Sequence, residues 1–433
     1  MTEAQMIPSA RRLMESLRDI GYDTPAAVAD LVDNSVDADA THVRVDIGHD
    51  RHGGWIRIAD DGVGMTEAHL DEAMRYGSAR AYEPDDLGHF GLGLKTASLS
   101  QGRRLTVATR STVRGSVRIR RWDLDRVART DSWHLERLTP KDCPTTLTDP
   151  LEGTTGTVVL WERLDRVLGT RRPGGEAAER RLESAADEIA QHLAMVFHRV
   201  LAGEAPGPSL AIHVAGVKLD PWDPFARAEP LTRELPPQAL ELQHAGSMHN
   251  VIVQPYVLPA QHHFSNPEAH EAASGPNRWN RQQGLYIYRH DRLIQSGGWN
   301  RLRTLDEHAK LARIAVDIPS GAEAAFRINV SKMTVGLPET LRPQLRALVA
   351  GVVSVAQDAY RRRLTVVASD GVEPSGRRPA AASISVGDQW PAIVEVLHRY
   401  LSNQPELLDS IQVALANLSP PARTEPMIAS ARN

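Results

Sequence analysis

Asp30 and Asn34 lie four residues apart in a helical pattern, so both project from one face while Val28, Leu31, Val32 and Val36 form the opposite, buried one. A carboxylate one turn from an amide is chemically useful: the amide oxygen can ligate Mg²⁺ and the carboxylate can polarise a water, as a nucleotide site requires. Alone, such a pair is more often a solvated helix face. The next motif along the chain argues for chemistry. Directly after a strand pattern comes Asp60-Asp61-Gly62-Val63-Gly64-Met65. Asp60 can accept a hydrogen bond from the exocyclic amine of adenine, and Gly62 and Gly64 let the backbone as far as Met65 close over a base. Asp-x-Gly-x-Gly in isolation is also a common turn.

A third element is Gly88-His89-Phe90-Gly91-Leu92-Gly93-Leu94-Lys95-Thr96-Ala97, a glycine-rich loop entering a helix. Backbone N–H groups and a helix start accept phosphate oxygens, and Lys95 adds a point charge. The Walker spacing is absent, so this is no P-loop. Its plainer reading is a tight helix-start turn. Finally, Thr157 opens a strand and offers a hydroxyl that reaches the acid and the adenine through water.

These residues need helices and strands to hold them. Helix patterns cover 7–20 and 25–37, the second with Thr24 as N-cap and Pro25 at its first position. Strands at 42–47 and 55–59 form an antiparallel pair, and helices at 66–76 and 95–100 flank the second glycine-rich region. Strands at 105–109, 117–122 and 156–162 and a long helix at 176–201 complete an α+β unit that ends at Pro206-Gly207-Pro208. A second α+β unit starts at Ser209, with strands at 211–214, 251–256, 284–288 and 314–317 and a last helix at 339–363. The Ser-, Gly- and Pro-rich stretch 368–382 reads as a flexible linker before a short helical tail at 390–418. The expected division is therefore 1–205, 206–365, a linker at 366–388 and a tail at 389–433.

Composition narrows the class. The 433 residues hold 41% hydrophobic and 24% charged side chains, without the ~18-residue apolar run that a membrane span needs. The amino terminus lacks a signal-peptide pattern, so a cytoplasmic protein is expected. One cysteine, Cys143, excludes an intrachain disulfide and a multi-cysteine zinc site. With a net charge of −4 there is no global basic field for nucleic acid. The local concentration Arg103, Arg104, Arg110, Arg114, Arg118, Arg120 and Arg121 reads as the solvated face of a hairpin.

In order and spacing, the four elements resemble the GHKL class, the ATPase superfamily of the gyrase B subunit, heat-shock chaperone ATPases, sensor histidine kinases, MutL and MORC. Within it the chain is most similar to MORC and bacterial MORC-like ATP-binding proteins, through SLRDIGYDTPAAVADLVDNSVDADA, DDGVGM, AMRYGS, DLGHFGLGLKTASLSQ and GTVVLWERLD. The resemblance implies a Bergerat-type ATP-binding α/β sandwich followed by a smaller α+β transducer-like domain, with ATP and Mg²⁺ as ligands. Arg327-Ile328-Asn329-Val330-Ser331-Lys332 resembles the transducer loop that lends a lysine to the γ-phosphate, and GLYIYRHDRLIQSGGW the strand and turn before it. Lys332 read without the resemblance is an exposed strand-end lysine. Also implied are an ATP-driven homodimer with the segment before Pro25 packed across the partner, and a DNA-directed or phage-defence role with DNA or defence-system proteins as partners. No membrane is involved.

One position departs from the family. Where gyrase, MutL and MORC carry the glutamate that activates water, this chain has Asp30, one methylene shorter, so hydrolysis is expected to be slow. Asp33, pointing about a third of a turn away, is the poorer base. The rival to a slow ATP-gated clamp is an ATP-binding signalling or interaction module with hydrolysis lost. A histidine kinase is remote, since no histidine precedes His42. Asp306-Glu307-His308-Ala309, on an expected helix, resembles a MutL endonuclease metal motif but lacks its cysteine-rich partners and is assigned no role. His262, His263 and His270 read as exposed loop histidines.

Overall fold

In the strand β1 (His42–Asp50) Val43 and Val45 are buried while His42 and Arg44 are exposed, the two-residue period of a sheet with one face on a core. The computed structural model describes residues 7–19, 21–50, 53–77, 93–169, 175–328, 332 and 334–369, with side chains as far as Arg361. It divides into two compact units, Met1–Asp370 and Gly371–Asn433. The second unit, and with it the expected tail, lies outside the described residues. So do Gly88, Gly91 and Leu92 of the glycine-rich loop, and Asn329, Val330 and Ser331.

Among the described residues, β1 belongs to an eight-stranded sheet with β2 (Gly53–Asp60), β3 (Arg104–Arg110), β4 (Arg118–Asp123), β5 (Glu136–Leu138), β6 (Gly156–Glu162), β7 (Ala211–Val214) and β8 (Val217–Lys218). The order is β5-β4-β3-β6-β2-β1-β7-β8, antiparallel throughout except for β1 beside β7. The strand expected at 211–214 therefore forms, but in the first sheet and not in a second unit. Ile212 and Val214 lie in register with Val43 and Val45, and all are buried in the same core.

Helices α1 (Ala10–Arg18), α2 (Thr24–Asp37), α3 (Glu67–Ala73), α4 (Gly93–Gln101), α5 (Leu124–Thr130), α6 (Thr145–Thr148), α7 (Asp165–Leu168), α8 (Glu176–Val196) and α9 (His198–Leu201) accompany this sheet. The central one is α2, packed against α4 and α8. Its N-cap is Asp23, not Thr24: the Asp23 carboxylate accepts from the Ala26 N–H at 2.8 Å, while the Thr24 hydroxyl donates to Gln101 Oε1 at 2.7 Å. A small second core on the opposite face buries Ala59, Ala108 and Val158 under Leu147 and Leu151. The amino-terminal helix α1 packs on α4 and α5 of its own chain, where Arg18 donates to the Leu99 carbonyl at 2.6 Å.

A second sheet among the described residues has six strands, β9 (Arg233–Glu234), β10 (Gln238–His244), β11 (Ser247–Val257), β12 (Gly284–Arg289), β13 (Arg292–Ser296) and β14 (Ala312–Asp317). They run in the order β10-β11-β14-β12-β13, with β9 beside β11. Helices α10 (Pro267–Ser274) and α11 (Arg278–Gln282) precede β12, and α12 (Arg342–Ser369) packs on β11 and β14. The β12–β13 hairpin turns through His290 and Asp291 at φ of 47° and 60°, values of the tight turn whose twist matches paired strands. That turn delivers Arg292 to α2. The class is α+β, as expected.

Candidate active site

Asp60 ends β2 opposite Thr157 at the start of β6. Its Oδ1 accepts from the backbone N–H groups of Gly62 at 3.1 Å and Thr157 at 3.0 Å, and its Oδ2 accepts from Ser35 Oγ at 3.2 Å. Burial pushes the carboxyl up to about 6, against the pull of these donors. Among the described residues the side chain is thus oriented by neutral donors from three elements and by no cation. Thr157 contributes its backbone N–H to Asp60, and its hydroxyl stands 3.1 Å from Thr109 Oγ1. Thr109 Oγ1 also accepts from the Met65 N–H at 2.8 Å and donates to the Gly156 carbonyl at 2.9 Å, which pins the loop to the sheet. The sequence reading did not single out Thr109 or Ser35. At Gly64, φ is 65° and a Cβ would come within 2.1 Å of the Arg110 carbonyl oxygen, so a side chain is excluded there.

Asp30 is 4% exposed, and α2 is buried from Ala26 through Asp33, so the expected division into a polar face and a buried one does not hold. One oxygen of Asp30, Oδ2, accepts from the Tyr22 hydroxyl at 2.6 Å, and Tyr22 also meets the Thr96 side chain. The other, Oδ1, accepts no hydrogen bond; Lys332 Nζ stands 3.3 Å from it and Arg292 Nη2 3.7 Å. Burial raises the Asp30 carboxyl above its ordinary range, opposed by Lys332 and reinforced by Asp33. Asp33, with no exposed surface, accepts from Arg292 Nε at 2.6 Å and from Lys332 Nζ at 2.5 Å. Sequence reasoning placed Lys332 here through a resemblance and missed Tyr22 and Arg292. Asp33 was set aside for its direction, and that direction is what brings it to both cations.

Asn34 is exposed, one turn beyond Asp30 on the same helix. Gly93 starts α4 beside Asp30, where a Cβ would lie 3.6 Å from Oδ2. Lys95 is buried. Its ammonium, 2% exposed as a residue, donates at 2.8 Å to the carbonyl of Ala73, the last residue of α3, and burial pushes its pKa down to about 8. A helix end leaves such carbonyls without intrahelical donors, and Lys95 supplies one.

Other features resolve as structure. In the arginine cluster, Arg104 pairs with Asp123 at 2.9 Å, and Arg120 is buried, with Asp71 at 2.5 Å and Glu67 at 2.8 Å, so this is not a solvated face throughout. Asp306 caps a short 3₁₀ turn at Glu307–Ala309, not a helix. His270 stacks on Trp279 with ring centres 4.7 Å apart. Among the described residues no group of three or more His, Cys, Asp or Glu side chains is placed to hold a metal. None of the described helices is long and apolar enough to cross a membrane.

Residues 22–155 match the family of histidine kinase-, DNA gyrase B-, and HSP90-like ATPases. The chain carries a GHKL ATPase domain. Among curated proteins it is similar to ATPase morc-1 of Caenorhabditis elegans, 34% identical over 87 residues, which covers 20% of this chain and 10% of that protein. ATPase MORC2 of Homo sapiens is 36% identical over 91 residues, 19% of this chain and 9% of its own length. The DNA mismatch repair protein MutL of Pasteurella multocida (strain Pm70) is 38% identical over 94 residues, 20% of this chain and 15% of its own. The likeness thus spans at most 15% of these relatives. The GHKL match holds Asp30, Asn34 and Asp60 and ends just before Thr157; Arg292 and Lys332 reach the site from outside it.

Proposed function

We propose that this chain binds ATP with Mg²⁺ at the cleft edge of α2 and hydrolyses it slowly, as a conformational clamp that dimerises on ATP. The observation that carries this reading is the convergence on one helix: Asp30 with an oxygen that accepts no hydrogen bond, exposed Asn34, and Ser35 holding Asp60. In this reading Asp60 accepts from the adenine amine, Gly62, Gly64 and Met65 line the base, and Thr157 fixes Asp60 through its N–H. The amide oxygen of Asn34 is the protein ligand for Mg²⁺, which supplies charge compensation for the phosphates when bound. Asp30 takes the water proton through Oδ1 while Tyr22 restrains Oδ2, and Lys332 serves the γ-phosphate. Gly93 and Thr96 lie beside Asp30, at the phosphate end; Lys95 reaches a phosphate only by leaving Ala73, and Gly88, Gly91 and Leu92 complete the loop. The nucleotide-binding part ends after Lys218 because β7 and β8 extend the first sheet, and the transducer-like part comes after it.

A second reading has hydrolysis lost, and one observation favours it: Asp30 is short and half tethered to Tyr22. Single-turnover phosphate release separates the two. A DNA-directed role is part of the first reading, after the relative named for DNA mismatch repair. ATP turnover measured with and without DNA tests it; turnover indifferent to DNA overturns that part. Light scattering with a non-hydrolysable ATP analogue, ADP and no nucleotide tests the clamp. Equal mass in all three overturns it.

A further inference from the structure

Two cations from one side of the molecule meet two carboxylates from the other. Arg292 begins β13 and Lys332 comes after β14, whereas Asp30 and Asp33 are one turn apart on α2. Asp33 is the member that touches both cations closely, Arg292 Nε at 2.6 Å and Lys332 Nζ at 2.5 Å, and it is the most deeply buried. Arg292 has other supports: it begins a strand, its guanidinium lies 5.8 Å from the Phe197 ring, and Nη1 is 3.4 Å from the Leu293 carbonyl. Lys332 has fewer. Its φ is 50°, in the left-handed region that a lysine seldom adopts, and it belongs to no strand or helix. A lysine ammonium on a four-carbon stem is located only by what its three donors hold. One of them goes to Asp33 at 2.5 Å, and Asp30 Oδ1 stands 3.3 Å away as an ion-pair partner.

We propose that Asp33 is a positioning residue, anchoring Lys332 beside Oδ1 of Asp30 and thereby setting the preference of the site for a nucleoside triphosphate over the diphosphate. This rests on the reading of Lys332 as the γ-phosphate contact. The two molecules differ by the group that Lys332 would meet, so an ammonium held in place favours only the triphosphate. An ammonium released from Asp33 spends that gain on its own ordering. Arg292 serves by sharing the Asp33 carboxylate and keeping it on the Lys332 side.

The test compares affinities of the full chain for a non-hydrolysable ATP analogue and for ADP, both with Mg²⁺, by calorimetric titration. Lys332→Met should lower the analogue-to-ADP preference, and Asp33→Asn should lower it on the order of tenfold, the usual worth of a charge-assisted hydrogen bond. In the Lys332→Met background, Asp33→Asn should change the preference no further. Affinity for ADP itself should hold. A merely structural tether would move both affinities together. The double variant Asp33→Asn with Arg292→Met removes the cation that the single change leaves unpaired in the interior, and the same loss is expected of it if the single variant does not fold. A preference unchanged by Asp33→Asn overturns the proposal, and so does one that rises, which would mean that Asp33 withholds Lys332. Wild-type protein that binds neither nucleotide, or Lys332→Met with an unaltered preference, overturns the underlying site reading and the proposal with it.

Discussion

Replacing Asp60 by Asn changes one oxygen to an NH₂ group and nothing in size. The wild-type carboxylate spends Oδ1 on the Gly62 and Thr157 N–H groups and presents Oδ2 toward Ser35. In Asp60→Asn the amide oxygen must stay with the two backbone donors, since turning the NH₂ toward them would set donors against donors. The NH₂ then occupies the Oδ2 position and faces the exocyclic amine of adenine, donor against donor. Loss of a charge-assisted hydrogen bond costs about 1.5–3 kcal/mol and an opposed donor about 1–3 kcal/mol more. At about 1.4 kcal/mol per decade, dissociation constants for ATP and ADP should rise by roughly two to four orders of magnitude. The fold should not suffer. Folding raises the Asp60 carboxyl to about 6 from its ordinary 3.8, so its stability contribution is complete below the unfolded value and is lost as pH rises through about 6. A neutral amide avoids that loss, worth roughly 3 kcal/mol at neutral pH. Calorimetric titration at pH 7, paired with thermal melting, is the assay. Nucleotide affinities within a few-fold of wild type, with a melting temperature no lower than wild type, would refute the assignment of Asp60 to the adenine.

Adenosine, which carries no phosphate to titrate near neutrality, should bind most tightly above pH about 6 and weaken by up to a decade per unit below it, because only ionised Asp60 is a pure acceptor; a flat profile from pH 5 to 7 would contradict this. Asn34→Ala should abolish Mg²⁺-dependent turnover, measured as phosphate release, while Asp30→Ala should leave ATP bound and uncleaved; turnover by Asp30→Ala at the wild-type rate would require another base. Gly64→Ala should lower stability by about 2 kcal/mol or more, through strain at φ 65° and collision with the Arg110 carbonyl, and urea unfolding will show it.

The sequence alone determined the parts of this site that are local. Asp30 and Asn34 share a helix because four residues make one turn, and Asp60 ends a strand because the alternation before it stops at glycine. Those spacings are chemistry written along the chain, and the order of the motifs identified the family. Tertiary structure decided which groups the local elements meet. Arg292 and Lys332 lie 259 and 299 residues from Asp33, and no periodicity encodes a pairing at that distance. Likewise 211–214 reads as a strand in any sheet, and only the match of Ile212 and Val214 to the buried Val43 and Val45 assigns it to the first. Lys95 sits in a motif that points to phosphate, and only the fold shows that its ammonium meets the carbonyl at the end of α3. A residue's own neighbours set its backbone and direction, whereas the charge it faces is set by packing of elements far apart in sequence, where burial makes every unpaired group costly.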